Sequence, residues 1–193
     1  MKKMIVILLL SSTYIFASGT QRHFNPGDGE RLIKEIDILK KGRRISAELM
    51  THLGSALKES IKKNGFVKSV EVCSLKVLPM TEKIRKKYKL KSIKRISTKT
   101  RNINNAPDKL DQIAIDYLKK EKKSSYLQQQ VKSGKFFYRF YRSIGIKDTC
   151  LNCHGTRKDM KIMTRSKIAK IYPNDKALDY KIGDFRGVIR LEF

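Results

Sequence analysis

Apolar side chains recur every four residues along the first third of the chain. Because positions four apart lie on one face of a helix, this pattern predicts a long N-terminal helix over residues 30–63. The Asn64-Gly65 pair is a typical stop signal. A second helix is predicted over residues 66–78, with Pro79 at its end or at a kink. The apolar faces are formed by Ile45, Leu49, Leu53, Leu57 and Ile61 in the first helix, and by Phe66, Val70, Cys73 and Val77 in the second.

The rest of the chain mixes helix and strand patterns. Strands are predicted over residues 91–98, 134–144 and 185–193, which are rich in β-branched and aromatic residues. In the last of these, apolar residues alternate with residues that include two arginines and a glutamate, which indicates a half-buried strand. Further helices are predicted over residues 80–90, 107–121 and 166–173. Helices come first and then mix with strands, so we expect the α+β class with an antiparallel sheet.

Residues 1–19 have the layout of a secretory signal peptide. Two lysines precede a short apolar run, and small residues follow it. The run is shorter than the roughly 20 apolar residues that span a bilayer, so cleavage is favoured over an uncleaved anchor. We therefore expect a flexible lead-in over residues 20–29, a single domain over residues 30–193 and a periplasmic location. No stable membrane span is expected after cleavage.

The composition is strongly basic. Lysine and arginine number 44 against 18 aspartates and glutamates, which gives a formal net charge of +26. Such a surface attracts acidic proteins, anionic lipid or nucleic acid. Nucleic acid is not expected as a partner, because export is predicted and the chain has no nucleic-acid-binding motif. Two interpretations remain: a solvated lysine-rich surface, or a surface that binds an acidic redox or signalling protein.

The chain has three cysteines, and two of them stand in "DTCLNCHGT", residues 148–156. Cys-X-X-Cys-His is the attachment signature of c-type haem. Each thiol, Cys150 and Cys153, adds to one vinyl group of the porphyrin, and His154 then lies under the iron as the proximal ligand. Predicted export agrees with this chemistry, because c-type haem is attached after secretion. The sequence thus predicts one covalent haem c.

Two other chemistries use the same cysteines. A zinc site could combine Cys73, Cys150, Cys153 and His154, but adjacent ligands such as Cys153 and His154 rarely reach one tetrahedral ion without strain. A thioredoxin-like pair would be expected near a βαβ pattern, and the sequence has none. The residues alone leave the distal iron ligand open, with His23, His52, Cys73, Met80, Met160 and Met163 as the candidates.

Four stretches of the chain occur in an order that a known family shares. They are "VEVCSLKVLPMTEKI", "RISTKTRNINNAPDKLD", "CLNCHG" and "IYPNDKALDYKIGDFRGVIRLEF". The chain resembles a family of secreted c-type haem domains, first catalogued as a domain of unknown function, in which a cyanobacterial member is PAS-like with His/Cys-ligated haem. The resemblance runs from about residue 30 to the C-terminus. One departure is Leu178-Asp179, where the family often has Thr-Gly.

The resemblance implies a PAS-like antiparallel sheet with flanking helices and one covalent haem c. The proximal ligand matches His154, the distal ligand matches Cys73, and the thioether pair matches Cys150 and Cys153. Family motif positions also match Arg101, Asn102 and Arg186, for which contacts to the haem propionates and contacts that hold the loops are alternative roles.

These features predict an exported single-haem protein. Two axial protein ligands leave the iron no open position, which favours electron transfer or redox sensing over substrate turnover. We expect no output segment after Phe193, so a sensor is expected to act through a separate protein partner. A peroxidase-like enzyme is the alternative, but it requires polar distal groups that the sequence does not identify.

Overall fold

The computed structural model describes residues 26–71 and 77–193. The predicted signal peptide, the first part of the lead-in and Cys73 lie outside these residues. The described part contains five α-helices, one 3₁₀ helix and four strands. The helices are α1 (Pro26–Glu71), α2 (Val77–Lys87), α3 (Lys109–Lys120), α4 (Asp148–His154), α5 (Ile162–Ile171) and the 3₁₀ helix (Ile103–Asn105).

The four strands form one antiparallel sheet. They are β1 (Ser92–Ile96), β2 (Ser125–Lys132), β3 (Lys135–Gly145) and β4 (Phe185–Glu192). Their order across the sheet is β1-β4-β3-β2, so the C-terminal strand lies between the first strand and the β2–β3 hairpin. The predicted α+β class is confirmed, with an antiparallel sheet, flanking helices and a long N-terminal helix.

Both faces of the sheet are covered by helices. The face towards α1 and α2 and the face towards α3 each carry a cluster of buried apolar side chains, and burying such side chains is the main driving force for folding. The first cluster consists of Ile45, Leu49, Ile84, Leu90, Ile93, Phe140, Ile189 and Leu191. The second consists of Ile96, Ala114, Ile115, Leu118, Tyr141 and Val188.

The predicted half-buried character of β4 is wrong. Residues 187–191 are all buried, because β4 is a central strand with helices on both sides. Val188 packs on the α3 face, while Ile189 packs on the α1 face. The charged residue of this run, Arg190, is buried with Asp111, and its Nη1 lies 2.9 Å from Asp111 Oδ2. The arginine that indicated a solvent-facing side therefore forms an internal ion pair.

Strand β2 is missing from the prediction. Its sequence, SYLQQQVK, has three consecutive glutamines that hide the alternation of a strand. The strand forms because it pairs over its whole length with β3, from Ser125 opposite Arg142 to Lys132 opposite Lys135. It lies at the edge of the sheet, where polar side chains can face solvent.

The helix boundaries also differ from the prediction. Helix α1 begins at Pro26, so residues 26–29 are helical rather than part of a flexible lead-in; proline fits a first turn, where its missing N–H needs no partner. The predicted stop at Gly65 is a kink, with φ 70° and ψ 177°, and the helix resumes after it over the described residues to Glu71. Pro79 lies in the first turn of α2; it does not end the preceding helix.

In the described part of the chain no helix is long and apolar enough to cross a membrane.

A glycine on α1 sets how closely this helix approaches the sheet. A Cβ atom at Gly42 would lie 2.4 Å from Cγ of the buried Phe140 ring. We expect Gly42→Ala to lower the free energy of unfolding by about 1–3 kcal/mol, because the ring has no space to move into. Gly54 is the matched control on the same helix, with nothing within 4 Å of an added Cβ. Gly54→Ala should stabilise by about 0.5–1 kcal/mol, the helix-propensity difference. Urea denaturation measures the free energy of unfolding of both variants. Equal effects of the two substitutions would contradict the close approach of α1 to the sheet at Gly42.

Candidate haem site

The Cys-X-X-Cys-His sequence folds as helix α4, Asp148–His154. The cysteines stand three residues apart, so both lie on the same side of this helix. Each is partly exposed, and each borders a different apolar cluster. Cys150 packs against Ile146, Ala177 and Tyr180. Cys153 packs against Val70, Met160 and Ile168.

Gly155 ends helix α4 at a point where no side chain fits. A Cβ atom there would lie 2.6 Å from Asp159 Oδ2 and 2.7 Å from the Leu151 carbonyl oxygen. Asp159 occupies this space because its Oδ2 accepts hydrogen bonds from both the backbone N–H and the hydroxyl of Thr156, each at 2.7 Å. The chain therefore turns sharply away directly after His154.

His154 is held by a backbone carbonyl. Its Nδ1 lies 2.8 Å from the oxygen of Ala177. Because a carbonyl oxygen can only accept, Nδ1 carries the proton and Nε2 keeps its lone pair. The Tyr180 ring meets the imidazole edge-on, with 6.2 Å between the ring centroids, and the Tyr180 N–H donates to the His154 carbonyl at 3.0 Å. These contacts fix both the tautomer and the orientation of the ring, as expected for a metal-binding histidine.

The surroundings also keep His154 uncharged. Burial, together with the positive charges of Arg101 and Arg186, lowers the pKa of His154 to about 3, and burial is the largest of these causes. The hydrogen bond to Ala177 acts in the opposite direction but is the weaker influence. At neutral pH the side chain is therefore a neutral imidazole with a lone pair on Nε2, which is the form that binds a metal ion.

Arg101 joins α4 to the loop that precedes β4. Its Nη2 donates to the Cys153 carbonyl at 2.5 Å and to the Ala177 carbonyl at 3.3 Å. It also forms a buried ion pair with Asp175, at 2.9 Å from Nη2 to Oδ2. Asp175 in turn accepts the Ala177 N–H at 2.8 Å. These contacts hold the loops together, and contacts of Arg101 to the haem propionates stay a prediction.

Arg186 and Asn102 also make loop contacts. The Arg186 guanidinium donates to Ser97 Oγ at 2.6 Å and to the Lys99 carbonyl at 3.1 Å, and it lies 5.5 Å from the centre of the Tyr180 ring. Burial lowers the pKa of Arg186. Asn102 is exposed, and its side chain caps the 3₁₀ helix by accepting the Asn104 N–H at 3.0 Å.

The candidate distal ligands lie in different parts of the molecule. His52 is exposed on α1, with Nε2 3.9 Å from Glu48 Oε1. Met80 lies in α2 and is partly buried. Met160 is 5% exposed in the cluster that Cys153 borders, whereas Met163 is 67% exposed. His23 and Cys73 are outside the described residues.

Within residues 26–71 and 77–193, no group of three or more His, Cys, Asp or Glu side chains is arranged to hold a metal ion. Cys150, Cys153 and His154 therefore do not converge on one point as three ligands of a zinc ion would. A cleft of about 770 Å³ opens beside Arg101, between the segment after β1 and the segment after α5. Its walls are formed by Thr100, Arg101, Asn102, Ile103, Ile171, Tyr172, Pro173, Asn174, Asp175 and Lys176.

Three residues that contact His154 or Arg101 are not among the predicted site residues: Asp175, Ala177 and Tyr180. They stand in "IYPNDKALDYKIGDFRG", one of the stretches that carries the family resemblance. That stretch was the signal that could have found them. Ala177 acts through its backbone oxygen, which the side-chain pattern does not reveal.

The fold and the site define a class: an α+β protein in which a short Cys-X-X-Cys-His helix follows the third strand of an antiparallel sheet and a loop carbonyl orients the histidine. The chain belongs to the Tll0287-like family, whose model matches residues 18–193, and the predicted family is thereby confirmed. Its fold is similar to the crystal structure of the cyanobacterial heme-protein Tll0287, with a TM-score of 0.58 and 20% sequence identity, covering 88% of this chain and 96% of that chain. No curated protein matches the chain.

Proposed function

We propose that this protein is an exported, single-haem c-type protein that acts in electron transfer or haem-based redox sensing. The observation that carries the proposal is the state of His154. Its Nδ1 proton is bound by the Ala177 carbonyl at 2.8 Å, so Nε2 is left as a neutral donor directly after Cys153. Membership of the Tll0287-like family and similarity to a heme-protein support the same assignment.

The residues of α4 fit a covalently attached haem. Cys150 and Cys153 are partly exposed on the same side of a helix, as two thioether bonds to one porphyrin require. His154 would supply the proximal nitrogen, and a bound haem would provide one-electron chemistry at its iron. The protein's own contribution is to hold the imidazole neutral, fixed in its tautomer and partly shielded from water.

Cys73 is proposed as the distal ligand, on the basis of the family resemblance. The position of Val70 supports this assignment. Val70 is buried against Met160 and Ile168 in the cluster that Cys153 borders. Cys73 follows Val70 by three positions in the sequence, and consecutive Cα atoms are 3.8 Å apart, so the chain from Val70 to Cys73 can span at most about 11 Å. A segment of that length would allow the Cys73 thiol to reach the clip, which is the Cys-X-X-Cys-His segment at residues 150–154.

A cysteine and a histidine on the two sides of the iron would leave no open position. This arrangement favours a role in which only electrons are exchanged. A thiolate also stabilises ferric iron, and reduction would weaken its bond, so the ligation could change with redox state. Such a change could be read by a separate protein partner.

Covalent attachment is tested by haem staining. We expect the mature protein, produced in a host that assembles c-type cytochromes, to retain haem on a denaturing gel and to give a pyridine haemochrome spectrum. The double variant Cys150→Ala/Cys153→Ala should lose the gel-stable haem, because both thioether bonds are removed. Complete extraction of haem from the unmodified protein by acid–acetone would contradict the assignment.

The distal ligand is tested by Cys73→Ser. Haem should stay attached through Cys150 and Cys153, whereas the ferric absorption spectrum should change and the reduction potential should rise, because an anionic sulfur no longer stabilises ferric iron. Met163→Leu is the control, since Met163 is 67% exposed, and it should change neither quantity. If Cys73→Ser leaves the spectrum and the potential as they were, another ligand binds the iron, and Met80→Leu is the next variant to measure.

An acidic partner is proposed from the net charge of +26. Arg157, Lys158 and Lys161 are exposed just after the clip. Oxidation of the ferrous protein by hexacyanoferrate(III), an anionic probe, should therefore slow with added salt, as the Debye length falls to about 8 Å at physiological ionic strength. Oxidation by a cationic cobalt complex should become faster with added salt, because salt screens the repulsion between two positive charges.

Charge-reversed variants show whether the surface near the clip is responsible. Lys158→Glu/Lys161→Glu should slow the reaction with hexacyanoferrate more than Lys109→Glu/Lys120→Glu does. The second pair makes the same change in net charge at exposed positions at the two ends of α3. Equal effects of the two variants in stopped-flow measurements would mean that only the overall charge matters.

A further inference from the structure

The Ala177 carbonyl oxygen accepts two hydrogen bonds from different residues of the site. One comes from His154 Nδ1 at 2.8 Å and the other from Arg101 Nη2 at 3.3 Å. An acceptor that already interacts with a cation has less electron density to offer a second donor. Arg101 therefore weakens the pull that Ala177 exerts on the Nδ1 proton of His154.

Asp175 controls how strongly Arg101 exerts this effect. Its carboxylate lies 2.9 Å from Arg101 Nη2, and the two side chains are only 5% and 11% exposed. Solvent thus screens the pair little, and its charges act strongly on nearby groups. The carboxylate also accepts the N–H of Ala177, so it fixes the same residue whose oxygen is shared.

We infer that Arg101 and Asp175 are positioning residues that set the electron donation of His154, and hence the reduction potential of the haem. This inference rests on the proposed function. A stronger hydrogen bond at Nδ1 gives the imidazole more anionic character, which stabilises ferric iron and lowers the potential. Arg101 opposes that effect in two ways, through its hydrogen bond to the shared carbonyl and through its positive charge. Asp175 reduces the influence of Arg101 by partly neutralising that charge.

The two members of the pair should therefore act in opposite directions. In Arg101→Gln, Ala177 becomes the better acceptor and a nearby positive charge is lost, so the potential should fall. In Asp175→Asn, the charge of Arg101 is no longer neutralised, while the amide oxygen can still accept the Ala177 N–H. The potential should then rise. The double variant should lie between the two.

Two measurements test the inference on the haem-loaded full chain. Protein-film voltammetry gives the potential, and proton NMR of the ferrous form gives the chemical shift of the His154 Nδ1 proton, which moves downfield as its hydrogen bond strengthens. We expect a downfield shift in Arg101→Gln and an upfield shift in Asp175→Asn. Arg101→Lys retains the charge and should shift the potential less than Arg101→Gln does.

Arg186→Gln is the matched control. Arg186 also acts on His154 through its charge, but its Nη1 donates to Ser97 and Lys99 rather than to Ala177. The Arg186→Gln variant should have a lower reduction potential and an unchanged chemical shift of the His154 Nδ1 proton. That combination separates the effect of charge alone from the effect of the shared carbonyl.

A purely structural role for the pair gives a different pattern. If Arg101→Gln and Asp175→Asn both only loosen the loop, the Nδ1 hydrogen bond weakens in each variant, and both proton shifts move upfield. That result would overturn the inference, as would potentials that move in the same direction. Haemochrome assays on every variant keep the two proposals apart. Absence of covalent haem in the unmodified protein would refute the proposed function itself, whereas the outcomes above, seen in haem-loaded variants, would refute only the role of the Arg101–Asp175 pair.

Discussion

Burial of β4 on both faces is the constraint on which the rest of the structure depends. Helices α1 and α2 cover one face and α3 covers the other, so Arg190 has to find its partner inside the protein. It lies 2.9 Å from Asp111 Oδ2, and the Tyr141 hydroxyl donates to Asp111 Oδ1 at 3.0 Å. A buried charge without a partner is strongly destabilising. Asp111 belongs to α3, and the ion pair therefore fixes where this helix sits on the sheet.

The same sheet assembles the candidate site. Strand β1 leads to the segment that contains Arg101, and the segment with Asp175 and Ala177 precedes β4. Ile96, at the end of β1, is paired with Val188, near the start of β4. Because the strands are antiparallel, these two segments meet at one end of the sheet. Residues far apart in the sequence thus contact each other through the strand register.

How much of the fold could be predicted depends on whether the stabilising contacts are local in the sequence or join distant residues. Helix α1 could be predicted, because its apolar residues recur with the helical period. Strand β2 could not, because its glutamines carry no alternation and its stability comes from pairing with β3. The role of Pro79 was ambiguous for a related reason. Proline suits both the end of one helix and the first turn of the next, and only the packed structure assigns it to α2.

By itself the sequence determined which residues the candidate site brings together on α4, since Cys-X-X-Cys-His is a local pattern that needs only one short helix. What holds His154 was decided by the tertiary structure. Its partner is the carbonyl of Ala177, at a sequence separation of 23 residues. Every residue has a backbone carbonyl, so the sequence does not mark this one. The partner of Arg101 was decided in the same way. A guanidinium suits a propionate and an aspartate equally well, and the chain places Asp175 against it only when the ends of β1 and β4 come together.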